Sequence, residues 1–564
     1  MTIYGNSDRQ INRRAWVFAG IVIVVVVIKL WLTSEIRIVS QNGPHDASNF
    51  IEHAKSILEG RWFGDYNDLT LIKQPFFPIY LAVVQEFGVP LALANELLYA
   101  LASFIACIAV RPIIRNPVTL GAVFFVIDFN PFTYGTLAWV AMRSDVNQSL
   151  ALLSIACAAG IFVRRKAQPR SLLPWLLGLG ISFAAFWLTR EEAIWLVPGL
   201  FTILAAYVWY IKKCKPAEFG ARMAGVALPV SIWAASVGAI MLINGLVYGW
   251  YTTNEQWAPE FVSAYDAFSR IVPPTVEPYV PVPRAAREIA YRVSPSAREL
   301  RPFLEGSLGK AWTSNTCFAV HICNDIGGGW FEWALRDAVA LAGHYTSGRD
   351  ARSFYTELAN EIDRACDSGE IRCRPKGNPL LAQLTVSQIP GRISDFAYGV
   401  WMTATLAPLS LGHEGWSPYL PLLPDYDFVA TSVVLGGEPS DFDSGIKWGV
   451  LGEIAQAYRR LTPLWIGIVL TVTVLRVARV VLKRSTRVPD YVLLVVSVMM
   501  SGGCLLAMLS LLNALAPSGT VMFTAEYMSS LFPLIFFALA VATSVEAAIA
   551  HRYICRRFPP LEET

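Results

Sequence analysis

The chain has little charge: of 564 residues only 16% are Asp, Glu, Lys or Arg, and histidine occurs six times. Basic and acidic residues nearly balance, 46 against 43, which leaves a net charge of +3 and no expectation of a nucleic-acid partner. No internal repeat and no low-complexity tract is seen, so a repeat array is excluded. No lipidation motif is evident, and no small-residue cleavage site follows the first apolar run, which is therefore expected to remain as an uncleaved helix.

What is present is apolar surface. More than half of the residues, 54%, are hydrophobic, and 18 tryptophans and 21 tyrosines suit a long membrane interface. The expected fold class is an all-α polytopic membrane protein of about ten transmembrane helices with a mixed extracytoplasmic domain. The spans are expected near 15–33, 91–110, 117–134, 145–163, 171–189, 192–211, 223–245, 463–482, 490–512 and 530–549. Basic residues gather in alternate connections: Arg9, Arg13 and Arg14, then Arg111 and Arg115, then Arg164 to Lys166, then Lys212, Lys213 and Lys215, then Lys483, Arg484 and Arg487. That bias puts both termini in the cytoplasm and the stretch 41–88 outside.

Three regions follow. Residues 1–245 form an N-terminal membrane module whose first external loop is 34–90; 246–460 form one external block; 461–564 hold the last spans and a cytoplasmic tail. The apolar piece Phe396–Leu411, broken by Pro408, reads as a packed or surface helix rather than an eleventh span. Cys317, Cys323, Cys366 and Cys373 lie in the external block as two close pairs and are expected to form two disulfides, with three connectivities open. His321, between the first two, is the one hint of a metal site there.

The polar island between the first two spans carries most of the chemistry. It reads HDASNFIEHAKSILEGRWFGDYNDLTLIKQPFFPIYLAVVQEFG, with His45 and Asp46 at its start. Apolar positions at helical spacing after Asp46 predict an amphipathic helix, so Asp46 is either a helix N-cap or a carboxylate free to act. A second helix is expected from Pro75 to the Gly88 stop. Lys73, just before it, either snorkels to headgroups or meets a lipid phosphate as a point charge. Arg190, Glu191 and Glu192 interrupt two spans at their external ends, where Arg190 is placed to hold a phosphate with two hydrogen bonds. Asp128, Arg143, Asp145, Glu96 and Glu526 are expected mainly to serve interfaces or helix packing, Glu96 being the least comfortable inside an apolar run.

The order of these pieces resembles the GT-C class of integral membrane glycosyltransferases, whose relatives include protein O-mannosyltransferases and lipid A aminoarabinose transferases. The matching segments are HDASNFIEHAKSILEG, LIKQPFFPIYLAVVQEFG, FNPFTYGTLAWVAMRSD at 129–145, LTREEAIWLVP ending at Pro198, NGLVYGW at 244–250 and AEYMSSLFPL at 525–534. They cover residues 10–250 well, 460–550 loosely and the external block hardly at all. The chain departs from the pattern where His45 precedes Asp46 in place of a second carboxylate, at Gln74 and Glu191 in place of prolines, and at Glu526 in place of an arginine.

The resemblance implies transfer of a sugar from a polyprenyl-phosphate donor to a lipid, glycan or protein acceptor at the extracytoplasmic face. It makes Asp46 the base and Lys73 and Arg190 the phosphate holders, with His45, Glu191 and Tyr527 as further substrate-binding candidates. No cofactor is expected with certainty, and a divalent metal ion is the one candidate, with His45 a possible ligand. Location in a bacterial inner membrane, amid membrane lipids, fits topology and disulfides. The rival expectations are a lipid-linked glycan flippase, which needs ionisable residues along several spans, and a non-catalytic envelope glycan assembly protein.

Overall fold

The computed structural model describes residues 4–34, 36, 38, 45–135, 143–377, 388–411, 445–482, 489–515 and 522–557, apart from the side chains of 4–12, 515 and 554–557. The first residues of the polar island, the middle of the 129–145 motif and the basic residues Lys483, Arg484 and Arg487 lie outside that set.

The protein is an all-α polytopic membrane protein. Among the described residues, nine helices are long and apolar enough to cross a membrane, between Arg13–Thr33 at one end of the chain and Ala525–Tyr553 at the other. The difference from the expected ten lies at 117–134. There the helix Pro117–Asp128 has 12 residues and gives way to a 3₁₀ turn at Pro131–Thr133. At 1.5 Å per residue it rises about 18 Å, short of a roughly 30 Å hydrocarbon layer. Asn130 ends the run by accepting the Phe132 N–H on its side chain, just before Pro131.

The membrane helices are α1 (Tyr4–Thr33), α4 (Leu91–Val110), α5 (Pro117–Asp128), α6 (Ser144–Val163), α7 (Leu173–Trp187), α8 (Val197–Cys214) and α9 (Phe219–Tyr248). After the folded block come α17 (Ile446–Leu482), α18 (Asp490–Leu512) and α19 (Phe532–Arg557). α6 is the axis of the bundle, packed by α4, α7, α8 and α19. Where α8 meets α18, a Cβ on Gly199 would stand 2.1 Å from Ser501 Oγ, so only glycine fits. The close approach lets the Ser497 hydroxyl donate to the Gly199 carbonyl at 2.8 Å, a polar small-residue contact suited to a membrane interior.

Between α1 and α4 lie α2 (Ala47–Leu58) and α3 (Phe76–Glu86), as the apolar spacing predicts. Positive-φ glycines, Gly60 and Gly88, follow their ends. The two helices pack on each other through Phe50, edge-on to Phe77 with ring centroids 5.2 Å apart.

Residues 259–367 fold into six helices: α10 (Pro259–Ser269), α11 (Arg284–Val293), α12 (Pro295–Leu304), α13 (Ser307–Val320), α14 (Phe331–Leu341) and α15 (Gly348–Asp367). They enclose a core around Phe261, Phe268, Leu300, Phe331, Leu335 and Tyr355. The block expected to be mixed is helical in its described part, with a single antiparallel bridge between Ile271 and Cys373. Its cysteines pair locally, Cys317 with Cys323 and Cys366 with Cys373. The first pairing removes the metal reading of Cys317, His321 and Cys323. His321 instead ends α13 in the left-handed region, at φ 59°.

The segment at 396–411 belongs to α16 (Ile389–Thr405), 17 residues long, which stops before Pro408 and packs on α18 and α17. α17 starts at Ile446, so one helix runs through residue 460 into the membrane bundle.

Candidate functional site

The helical domain sits over the loop that holds α2 and α3, and a buried ion pair fastens it. Arg336 of α14 meets Glu255 at 2.8 Å, and both are almost wholly enclosed. Tyr66 donates to one Glu255 oxygen at 2.5 Å and Tyr345 to the other at 3.2 Å, while Arg336 also donates to the carbonyl of Asp68. A buried pair survives only when such extra hydrogen bonds satisfy the remaining oxygens and N–H groups. Here the Glu255 oxygens are met by groups from both sides of the joint, Tyr66 from the loop and Tyr345 from the domain.

That docking brings the domain to Asp46 and Lys73. Asp46 occupies the N-cap position of α2 but makes no capping hydrogen bond with its side chain. Its Oδ1 lies 3.2 Å from Lys73 Nζ, with Asp46 39% exposed and Lys73 12%. The ammonium also stands 5.2 Å from the ring centre of Trp333 on α14. His45 lies in an aromatic slot, 4.8 Å from Trp333 and 6.2 Å from Trp312 between ring centres. Burial, with Lys73 close by, lowers the imidazole pKa, so His45 is neutral at neutral pH. Among the described residues no hydrogen bond joins it to Asp46, and packing against tryptophan is its visible role.

Behind this pair lies the turn between α7 and α8. The Phe76 N–H donates to the Leu188 carbonyl at 2.8 Å, so α3 starts where α7 ends. The Gln74 N–H donates to Glu191 Oε1 at 3.1 Å. Glu191 is ion-paired with Arg143 at 2.8 Å, and Arg143 also donates to the Thr189 carbonyl at 3.3 Å. Burial alone would lift the Glu191 carboxyl, but Arg143 and Lys73 outweigh it and hold the group at about 2. Glu191 is therefore a fixed anion that orders the cations around it.

Arg190, next in the same turn, is buried and already engaged. It donates to Glu192, to Ser144 Oγ at 3.3 Å and to the Glu526 carbonyl at 3.2 Å, and it pairs with the Glu526 carboxylate at 3.4 Å. The Tyr527 ring centre lies 5.1 Å from its guanidinium. Arg190 thus knits α6, the turn and the start of the last membrane helix together. Its donors are spent within the protein, unlike the open fork that its sequence context suggests.

The cluster therefore gathers three cations, Lys73, Arg143 and Arg190, with four carboxylates, Asp46, Glu191, Glu192 and Glu526. All six residues singled out from the sequence are in or beside it. Asp46, Lys73 and His45 form its more open part; Glu191, Arg190 and Tyr527 form the enclosed part. Among the described residues no three His, Cys, Asp or Glu side chains converge to hold a metal ion.

Two groups of residues carry more weight here than the sequence suggested. Arg143, expected mainly to pack, is a central cation. Trp333, Trp312 and Glu332 come from a block with no recognised motif. Burial lifts the Glu332 carboxyl to about 7 against the pull of Lys73 and Arg336, which makes it a titrating group beside the site near neutral pH. The run GGGWFEW at 327–333, glycines followed by aromatics around a carboxylate, was the available signal.

Fold and cluster together define a polytopic helical membrane protein with a charged site beneath a helical domain. Compared with solved structures, the chain is similar to ArnT from Cupriavidus metallidurans in its apo state, at 13% identity and a TM-score of 0.32, over 96% of this chain and 80% of that one. It is likewise similar to ArnT of the same organism bound to undecaprenyl phosphate, at 13% identity and a TM-score of 0.30, over 97% of this chain and 81% of the other. No protein-family model matches the chain, and no curated protein matches it.

Proposed function

We propose that this protein is an integral membrane glycosyltransferase of the GT-C type. It moves a sugar from a polyprenyl-phosphate donor to a lipid, glycan or protein acceptor at the extracytoplasmic face of a bacterial inner membrane, with both termini cytoplasmic. The observation that carries the reading is the state of Asp46: a carboxylate at a helix start that caps nothing and is paired with Lys73 instead.

The chemistry follows from that pair. A lipid phosphate arriving at Lys73 exchanges partners with Asp46, so one event binds the leaving group and frees the carboxylate. Asp46 then takes the proton of an acceptor hydroxyl. The acceptor oxygen bonds to the anomeric carbon as the bond from that carbon to the phosphate oxygen breaks, and the electron pair leaves with the polyprenyl monophosphate. The leaving group is already a stabilised anion, so fixed positive charge suffices and no strong acid is needed. Lys73 supplies that charge once it leaves Asp46, while Arg143 and Arg190, paired with Glu191, Glu192 and Glu526, hold the turn behind it in place. Direct displacement inverts the anomeric configuration.

A flippase would use ionisable groups along a path through the bundle. Among the described residues, Lys29 pairs with Glu96 at 2.7 Å about a turn from the domain-side ends of α1 and α4, and Arg476 pairs with Glu546 at 2.6 Å toward the opposite ends of α17 and α19. Pairs set toward the two boundaries favour a boundary site over a continuous path.

The test is Asp46→Asn in full-length protein reconstituted in liposomes. Transfer from polyprenyl-phosphate sugars is expected to fall by about 100-fold or more, the usual worth of a positioned base, with insertion unchanged and the wild-type product inverted. Near-wild-type transfer by Asp46→Asn, a retained configuration, or lipid translocation without transfer in the wild type would each reject the reading.

A further inference from the structure

Basic residues collect at the ends of α1, α4, α5 and α6 that face away from the helical domain, and they divide by what they hold. Arg164 donates to the Ile108 and Ala109 carbonyls at 2.6 and 2.8 Å and so closes the last turn of α4. Arg165 pairs with Asp490 at 2.8 Å. Arg14, Arg111 and Arg115 do neither: among the described residues none of the three has an ion pair or a hydrogen-bonded side chain, and all are exposed. They line one cavity of about 140 Å³, together with Phe18, Pro117 and Leu120. The backbone fixes where they stand. The Val110 carbonyl accepts from the Ile113 and Ile114 N–H groups at 2.9 and 3.0 Å, and Asn116 caps α5 by accepting from the Val118 N–H at 2.9 Å, so the connection that carries Arg111 and Arg115 is tied at both ends. α1 is held beside it by Phe18, stacked on Phe104 of α4 at 5.9 Å, and by Gly121 of α5, where a Cβ would come within 2.7 Å of Ile21.

Position, charge and size sort the occupant. The span Arg13–Thr33 opens beside Arg14, and Arg111 follows the span Leu91–Val110, so the cavity lies at the headgroup level of the membrane boundary. Three guanidiniums without a described anion attract one, and a phosphate accepts from each with two parallel hydrogen bonds. A void of about 150 Å³ admits one benzene ring, so this one takes a headgroup rather than a pair of acyl chains. The apolar lining gives a free phosphate nothing, whereas the glycerol and first methylenes of a lipid cover it. Exposed Val17 and Val118, next in the chain to Phe18 and Pro117, extend that apolar surface.

We propose that this cavity binds an anionic glycerophospholipid, whose phosphate sits among Arg14, Arg111 and Arg115. The site lies at the boundary opposite the Asp46 and Lys73 cluster and stands whatever reaction that cluster performs. Basic pockets between membrane helices are suited to such headgroups, because low-dielectric walls strengthen each charge pair.

The test is native mass spectrometry of full-length protein in neutral detergent, titrated with phosphatidylglycerol and with phosphatidylcholine of the same acyl chains. The wild type is expected to bind its first phosphatidylglycerol about tenfold tighter than its first phosphatidylcholine, since choline returns a positive charge to the arginines. Arg14→Gln, Arg111→Gln and Arg115→Gln are each expected to weaken phosphatidylglycerol binding about fivefold, the worth of one basic residue at a lipid surface. Arg13→Gln removes the same charge from a residue that does not line the cavity and is expected to change binding less than about twofold. All four arginines are exposed, so none of these variants disturbs the packed interior. Equal effects of the four substitutions, whether large or absent, overturn the site, because the attraction is then diffuse. A wild type without preference for phosphatidylglycerol overturns it too. Displacement of the lipid by inorganic phosphate at equal concentration overturns the lipid assignment in favour of a free phosphate.

Discussion

Asp46 illustrates what a single position in a sequence leaves open. An aspartate before an amphipathic run is a favoured N-cap, and the residue type cannot tell that role from a catalytic one. The geometry separates them, because a side chain paired with Lys73 and making no cap bond is available for exchange. Glu332 poses the opposite case. Its local sequence offers only the aromatic run around it, yet burial, against the pull of Lys73, brings its titration to about 7. As pH rises through that value Glu332 ionises, adds negative charge next to Lys73 and competes with an incoming phosphate. The KM for the polyprenyl-phosphate donor is therefore expected to rise severalfold between pH 6 and 8, about the cost of one partly screened charge. Glu332→Gln should flatten that rise, and steady-state kinetics across this range would check it.

At the scale of elements, what matters is where helices begin and end. Three starts and one turn meet at the site: α2 at Asp46, α3 after Lys73, α6 after Arg143, and the turn between α7 and α8. Hydropathy located α6, α7 and α8 well because an apolar run of membrane length has few alternatives. It overextended α5, since Phe129, Pro131 and Phe132 are as apolar as a span while the backbone there has already turned into a 3₁₀ helix. Arg143 shows the cost of these meetings. Arg143→Met would leave Glu191 buried without its main partner, a loss of about 3–5 kcal/mol. The melting temperature in detergent is expected to drop clearly. Adding Glu191→Met should recover part of the loss, since an apolar pair of similar volume needs no charge compensation. A double substitution no more stable than Arg143→Met would show that the two residues act independently.

For the whole molecule, the issue is how a domain of helices is held against a membrane bundle. The joint is narrow and polar, centred on Arg336 and Glu255 with Tyr66 and Tyr345 around them. Trp333 extends it to Lys73. Arg336→Met is expected to strand the enclosed Glu255 carboxylate and loosen the domain while its own core and two disulfides persist. Hydrogen exchange should then rise in 65–75 and 250–258 but not in α15, with transfer falling in parallel. Unchanged exchange at the joint would mean that other contacts dock the domain.

The amino-acid order by itself left the cysteine pairing open among three connectivities but determined the helical membrane class, most of the spans, and the amphipathic helices after Asp46 and Pro75. These are short-range properties, set by runs and spacings within about twenty residues. Only the tertiary structure decided that Arg190 is spent on internal partners, that Arg143 stands among the central charges, and that Trp333 faces both His45 and Lys73. Those facts depend on contacts between positions up to hundreds of residues apart, and a charge's partner in low-dielectric surroundings is chosen by the fold that brings the two together rather than by its neighbours in the chain.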